Sequence, residues 1–458
     1  MDTFEKFKFR TQEELKEKIE ELGTGMGLSG DLALFGKPVK VRSKLAPNSI
    51  AVLPMEGCDS NPDGTPSELT TRRYRRFFTG GAGLIWFEAC AVTPEGKANP
   101  LQMMLTRENR DKFKDLLTEL HDLAQKDHGY RPLAILQLTH SGRYSRPVLK
   151  QAPIIAQHDP YLDGRVGIDE HHPVVTDDYL DNLKTKYVQS ALLAKEAGFD
   201  GVDIKACHRY LISELLASHT REGKYGGSFE NRIRFLVDVI REVREAVGED
   251  FIVACRFNVY DAHPYPYGFG VSKDDASVYN LEEPLELVRR MCSTGVDLLS
   301  NSAGNPYYNH PEVTRPFDQA TLDGETPIEH PLVSIKRLFD FTARIQEAAG
   351  DVPVIGNGYS WLRQYAPYAG AYNLKEGNIS MMGMGRSSFA YPNAPKDILT
   401  HGAMEPSLCC IACSKCTQIM RDHGKTGCVI RDSEVYLPLY REAREATMGR
   451  ENTEGEIR

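Results

Sequence analysis

Short apolar, β-branched runs recur along the chain, and each is followed by a charged stretch with helical periodicity. The runs are Ser49-IAVLP, Gly83-LIWFEA, Pro132-LAILQL, Asp200-GVDI, Asp250-FIVACRF, Val296-DLLSN, Asp351-VPVIGNG and Asn378-ISMMGMG. Between them, Asn109–Asp127, Asp177–Ala197, Glu230–Val247, Pro284–Thr294 and Ile335–Ala349 carry apolar residues at i, i+3 and i+4, which predicts helices. Eight such units match an α/β fold of the (β/α)8 TIM-barrel type with insertions. A doubly wound sheet is the alternative, but no GxGxxG follows a first strand.

The rhythm stops near Thr400. The pattern divides the chain into an N-terminal helical extension (1–30), a barrel (31–400) and a Cys-rich segment with a terminal helix (401–458). In the extension, Thr11-Gln-Glu-Glu14 reads as a capping box on a surface helix.

Composition narrows the function classes. A net charge of −9 over 458 residues argues against nucleic acid as a partner. No run of about 18 apolar residues exists to span a membrane. The charged N-terminus does not read as a signal peptide, and scattered cysteines such as Cys58, Cys255 and Cys292 point to a reducing cytoplasm.

Five of the ten cysteines fall in Leu408-CCIACSKC-x11-C: Cys409, Cys410, Cys413, Cys416 and Cys428. The C-x2-C-x2-C spacing puts Cys410, Cys413 and Cys416 on one short loop, and Cys428 adds a fourth thiolate. That suits a [4Fe-4S] cubane, each iron taking one thiolate. Structural zinc and disulfides are the alternatives, and Cys409 competes with Cys410 for the first ligand position. An oxygen-sensitive cluster suggests an anaerobic host.

Barrels of this type carry reactive groups at the C-terminal ends of strands. Here those ends read Pro54-Met55-Glu56, Glu88-Ala89-Cys90, Gln137 to Arg143, Lys205 to Tyr210, Arg256-Phe-Asn258, Asn301 to Gly304, Gly356-Asn357-Gly358 and Gly383-Met-Gly385-Arg386. The two Gly-rich ends with Arg386 point to a phosphate site; a plain tight turn is the competing account.

Gly198-FDGVDIKACHRYLISELLASHTREGKYGGSFENRIRF, with YGGSFENR at Tyr225–Arg232 and HSGR at His140–Arg143, resembles the strand-four signature of the Old Yellow Enzyme superfamily of flavoproteins. With the cysteines, the resemblance is to the branch holding 2,4-dienoyl-CoA reductase and trimethylamine dehydrogenase. It implies FMN, with Pro54, Met55 and Ala89 lining the isoalloxazine, Gln137 on its uracil-like edge, and Arg256 near N1 and O2. Its phosphate would lie at Gly356, Asn357, Gly385 and Arg386. Glu56 occupies the position of the covalent flavin link in the amine dehydrogenases, so the flavin is expected to be non-covalent.

In the same carry-over, Tyr210 is the proton donor and His208, with Lys205, holds a substrate carbonyl. Lys205 departs from the His or Tyr usual there, and an ion pair with Asp203 or another carboxylate is its structural alternative. Tyr265, Tyr267, Phe269, Tyr307 and Tyr308 are candidate walls for a flat substrate, with loop packing as the other account and Trp361 open to either.

The implied activity is an ene-reductase acting on a small α,β-unsaturated carbonyl compound, flavonoid-like, polycyclic or an enoyl thioester. An amine dehydrogenase or demethylase, or an electron-transfer subunit, are the alternatives. The relatives' dinucleotide-binding domain has no counterpart up to Arg458, so electrons would come from NAD(P)H directly or from a donor protein through the cluster. The resemblance also admits a homo-oligomer.

Overall fold

The computed structural model describes residues 5–309, 311–318 and 327–455. His310 and the outermost residues of the two terminal segments lie outside the described residues. Eight parallel strands close a barrel: β1 (Ile50–Val52), β2 (Leu84–Ala91), β3 (Leu133–Thr139), β4 (Gly201–Ile204), β5 (Ile252–Tyr260), β6 (Leu298–Ala303), β7 (Val354–Gly356) and β8 (Met381–Met384), with β8 returning to β1. The helices that follow them are α1 (Glu68–Phe78), α2 (Arg110–His128), α3 (Asp177–Glu196), α4 (Phe229–Val247), α5 (Glu282–Thr294), α6 (Pro331–Ala349), α7 (Ala366–Lys375) and α8 (Ala394–His401).

Strand residues alternate between two apolar layers, which is why the runs read as unbroken hydrophobic stretches. Leu84, Trp86, Leu133, Ile135, Ile252, Ala254, Leu298, Ile355 and Met381 pack together as one core cluster. Their neighbours Ile85, Phe87, Ala134, Leu136, Val253, Cys255, Leu299 and Val354 belong to another, shared with helix residues such as Leu116, Tyr187 and Leu236. Continued two residues at a time, the first rows reach Gln137, Arg256 and Asn357, so the alternation that fills the barrel also delivers polar groups to its C-terminal mouth. In β2 the register shifts between Phe87 and Ala89. The bulged residue is Glu88, whose carboxylate accepts from Gly57 N (2.6 Å) and pairs with buried Arg73. A Cβ at Gly57 would lie 2.2 Å from the Arg73 guanidinium, so glycine is required where the β1 loop crosses it.

The N-terminal extension is docked rather than free. Its helix, Gln12–Glu21, buries Leu15 and Ile19, and the Thr11 side chain caps it by accepting from Glu14 N (3.2 Å). Phe7 meets Trp361 edge to face (5.3 Å between centroids), and both Phe7 N and Trp361 Nε1 donate to Asp318 (2.7 Å each). At the other end, α9 (Lys415–Arg421) lines the barrel mouth through Cys416, Thr417 and Met420, and α10 (Ser433–Gly455) follows it. Asp432 takes a bidentate pair from Arg72 of α1 (2.7 and 2.9 Å), and Thr426 N donates to Gly57 O (2.7 Å).

Candidate active site

Asp203, fully buried on β4, is the hub beneath the mouth. Its Oδ2 accepts from Gln137 Nε2 (2.6 Å) and Trp86 Nε1 (3.0 Å), and its Oδ1 from Arg256 N (2.8 Å). Burial pushes its carboxyl up to about 7, against the pull of these donors and of the nearby Arg256 and Lys205 cations. The hub fixes the Gln137 amide and the Arg256 backbone at the edge of the cavity above.

That inner cavity, about 230 Å³, is lined by Pro54, Met55, Glu56, Gln137, Lys205, His208, Tyr210, Arg256, Asn357, Gly385 and Arg386. Of the residues carried over from the resemblance as flavin contacts or catalytic groups, Ala89 and Gly356 do not line it. Ala89 is buried beside Gln137 beyond the bulge, and a Cβ on Gly356 would meet Ile379 and Tyr359 rather than open space.

Two polar side chains meet on one carboxylate oxygen. Glu56 Oε1 accepts from Lys205 Nζ (3.1 Å) and from Tyr210 Oη (3.2 Å), while the Lys205 ammonium stands 4.0 Å from the Tyr210 ring centroid. Lys205 thus pairs with Glu56, not with Asp203. Tyr210 Oη also meets Tyr307 Oη at 3.2 Å. Burial first, and the Glu56 carboxylate second, hold the Tyr210 phenol well above its usual range, so it keeps its proton at neutral pH. His208 Nε2 lies 3.0 Å from Ser302 Oγ. Burial, with Arg256, Lys205 and Arg315 nearby, keeps its imidazole neutral.

The turn presenting His208 and Tyr210 is strained. His208 and Arg209 take φ of 64° and 59°, uncommon for residues other than glycine. Fully buried Arg209 anchors it, reaching Asp159 at 3.1 Å and Asp261 at 3.3 Å, and Asn258 Oδ1 accepts from His208 N (3.2 Å).

A second, outer cavity of about 790 Å³ shares Glu56, Pro306, Tyr307 and Met420 with the inner one. Tyr144, stacked on Tyr307 at 4.0 Å, and Tyr308 wall it. Of the expected aromatic wall, Tyr307 and Tyr308 are therefore present. Tyr265, Tyr267 and Phe269 line neither cavity: Phe269 is in the core, and Tyr265 is exposed beside His219. Trp361 combines both accounts, buried against Phe7 and Phe9 yet reaching the inner cavity.

Cys410, Cys413, Cys416 and Cys428 line one small cavity, whereas Cys409 faces another and donates to Glu405 O (3.4 Å). Backbone N–H groups point at two of the sulfurs, Ala412 N at Cys410 (3.4 Å) and Arg431 N at Cys428 (3.2 Å). Among the described residues no group of three or more His, Cys, Asp or Glu is arranged to hold a metal ion. Four thiols spread round one space suit a multi-iron group, in which each thiolate has its own iron. Cys416, Arg386 and Phe389 belong to both this cavity and the inner one, which therefore share a wall.

The inner cavity fits a flavin mononucleotide on its own evidence. Arg256 Nε and Arg315 Nε are buried without a hydrogen-bond partner. A Cβ built on Gly385 meets nothing within 4 Å, leaving room beside Arg386 for a phosphate. Burial and the neighbouring Arg386 and Arg421 depress the Arg315 guanidinium, a penalty an anion would relieve. Sequence reading missed Arg315, which lies in no recognisable motif, and Tyr144, although it directly follows the HSGR element.

A sequence profile described as the NADH:flavin oxidoreductase / NADH oxidase family matches residues 33–364. An NADH oxidase of Thermoanaerobacter brockii is 28% identical over 372 residues, which are 80% of this chain and 50% of that protein. A cinnamate reductase of Clostridium sporogenes is 25% identical over 420 residues, 86% of this chain and 56% of the reductase. The chain thus spans about half the length of these two curated relatives. Among solved structures, a 2-naphthoyl-CoA reductase complex superposes with a TM-score of 0.70 at 20% identity, covering 87% of this chain and 57% of that one, a likeness of fold. Among the described residues no helix is long and apolar enough to cross a membrane.

Proposed function

The chain belongs to the NADH:flavin oxidoreductase / NADH oxidase family, and from that membership we propose an FMN-dependent ene-reductase acting on an α,β-unsaturated carbonyl compound. The observation that carries the reading is the position of Tyr210. Its protonated hydroxyl stands on Glu56, at the wall between a cavity fit for flavin and a tyrosine-walled space beyond. FMN, when bound, would supply hydride for the β-carbon of the substrate.

The chain's own residues do the rest. Pro54, Met55, Gln137 and Arg256 hold the ring system, and Asn357, Gly385, Arg386 and Arg315 hold the phosphate. The Arg256 cation favours negative charge on the reduced ring. Neutral His208, steadied by Ser302, hydrogen-bonds the carbonyl, and Tyr210 gives its proton to the α-carbon. Lys205 neutralises Glu56 and packs over the Tyr210 ring, orienting the donor.

Reducing equivalents come from NAD(P)H, or from a donor protein through a [4Fe-4S] cluster on Cys410, Cys413, Cys416 and Cys428. The wall that the cysteine cavity shares with the inner one supports the second route. The test is an anaerobic titration of the purified protein with iron, sulfide and released flavin quantified, followed by addition of enones to the reduced enzyme. Reoxidation by an enone with matching loss of its C=C absorbance is expected. Reoxidation by dioxygen alone would sink the reading.

A further inference from the structure

The described lining of the outer cavity is rich in basic side chains. The chain is acidic, at −9, yet among the described residues this cavity is lined by Arg146, Arg165, Arg421 and His423 with a single carboxylate, Glu56, already paired to Lys205. Arg165 Nη1 donates to Tyr307 O (3.3 Å), and its guanidinium lies 4.8 Å from the Tyr308 ring centroid. Arg421 Nη2 donates to Pro306 O (2.9 Å). Neither guanidinium has a carboxylate partner among the described residues. The two cations thus flank one short segment, Pro306–Tyr307, at the exposed rim of the cavity, each with further N–H donors beyond the one it gives to that segment.

That segment also sets a length. The phenol of the same Tyr307 touches Tyr210 Oη (3.2 Å). The distance from the reacting end of the cavity to its cations is therefore about the reach of one tyrosine.

We propose that the outer cavity takes a compact unsaturated carbonyl compound carrying a second, anionic group at its far end, held by Arg165 and Arg421. This rests on the ene-reductase reading and adds the substrate class to it. Tyr144 and Tyr307 flank the flat middle of the molecule, and the carboxylate or phosphate meets the guanidiniums. A carrier thioester, whose phosphates lie many bonds from the alkene, overshoots this span.

The experiment compares 4-(3-oxobut-1-enyl)benzoate, its methyl ester and a coenzyme A enoyl thioester with the flavin-loaded enzyme, anaerobically. Wild type is set beside Arg165→Gln, Arg421→Gln and the double variant. Glutamine keeps an N–H for the Pro306 and Tyr307 carbonyls, and Arg165→Gln reads the effect away from the cysteine helix. The acid is expected to exceed the ester in kcat/KM by roughly tenfold to a hundredfold, the worth of charge-assisted hydrogen bonds. The acid-to-ester ratio collapses towards one in the double variant. Equal rates for acid and ester overturn the proposal while leaving the ene-reductase reading intact, and preference for the thioester overturns its compactness. If no enone is reduced, the ene-reductase reading falls. Equilibrium dialysis of the saturated acid, 4-(3-oxobutyl)benzoate, then decides: binding that the double variant loses supports the anion site, and no binding to wild type overturns it.

Discussion

The Tyr210 hydroxyl donates a 3.2 Å hydrogen bond to the Glu56 carboxylate, across the wall between the two cavities. A phenol beside a carboxylate is held in its protonated form, because ionising it would set two negative charges on one hydrogen bond. Lys205, 3.1 Å from the same oxygen, neutralises the carboxylate and leaves the Tyr210 phenol as a proton carrier on the inner cavity, joined through the Tyr307 hydroxyl (3.2 Å) to the outer one.

Tyr210→Phe removes that proton without removing ring or cation contact. Turnover of an enone should fall about 10²- to 10⁴-fold, the usual worth of a general acid, with flavin content unchanged. Stopped-flow kinetics should show flavin reduction intact and enone-driven reoxidation slowed. Reoxidation at the wild-type rate would remove Tyr210 from the role.

The cysteines make a separable prediction. Cys410→Ser, Cys413→Ser, Cys416→Ser and Cys428→Ser should each lower iron and acid-labile sulfide from about four per chain. Cys409→Ser should keep them, since its thiol faces a different cavity. Metal analysis of anaerobically purified variants decides, and iron loss in Cys409→Ser alone would reverse the assignment.

Much of this was legible in the chain because parallel barrel strands are buried on both faces and repeat. The helix expected at Asp177–Ala197 is observed at Asp177–Glu196, and the run after Asp200 is β4, Gly201–Ile204. The strand-end rule then gathered Gln137, Lys205, His208, Tyr210 and Arg256 round one cavity. What was not legible depends on long-range partners. That Lys205 takes Glu56 rather than Asp203 follows from how the β1 loop crosses Arg73, through Gly57 and the Glu88 bulge. The absence of Tyr265 and Tyr267 from either cavity reflects where their loop folds, which alternation does not set. Arg315 sits outside any periodic segment, and only the closed fold brings it to the cavity.

Acid should destabilise the fold through His140. Gly142 N donates to its Nδ1 (3.1 Å), leaving Nε2–H for Tyr179 Oη (2.8 Å), and burial holds this imidazole down to about 4. Its unfolded value is about 6.5. Between those values the unfolded chain binds the proton and the folded one does not, so stability is complete above pH 6.5 and falls as pH drops towards 4. The loss is about 3 kcal/mol for this group. Urea unfolding at pH 7 and pH 4.5 measures it, and His140→Gln should show a correspondingly shallower fall. An identical slope in the variant would exclude His140 as the origin.

Arg209 is predicted to couple stability to the geometry of the site. Its guanidinium, fully buried, is the shared partner of Asp159 (3.1 Å) and Asp261 (3.3 Å), and Asp159 also takes His263 Nε2 at 2.8 Å. Removing one member of such a network leaves buried charge uncompensated, at a cost of about 3–5 kcal/mol. Arg209→Met should therefore lower urea stability by that amount at pH 7. Adding Asp261→Asn should recover part of it, because one of the stranded charges is then gone. Arg209→Lys, a single ammonium in place of a fork, should be intermediate. Because the residue also holds the positive-φ turn of His208 and Tyr210, enone turnover in the folded fraction should fall as well. A stability change below about 1 kcal/mol in Arg209→Met would show that the network does not carry the turn.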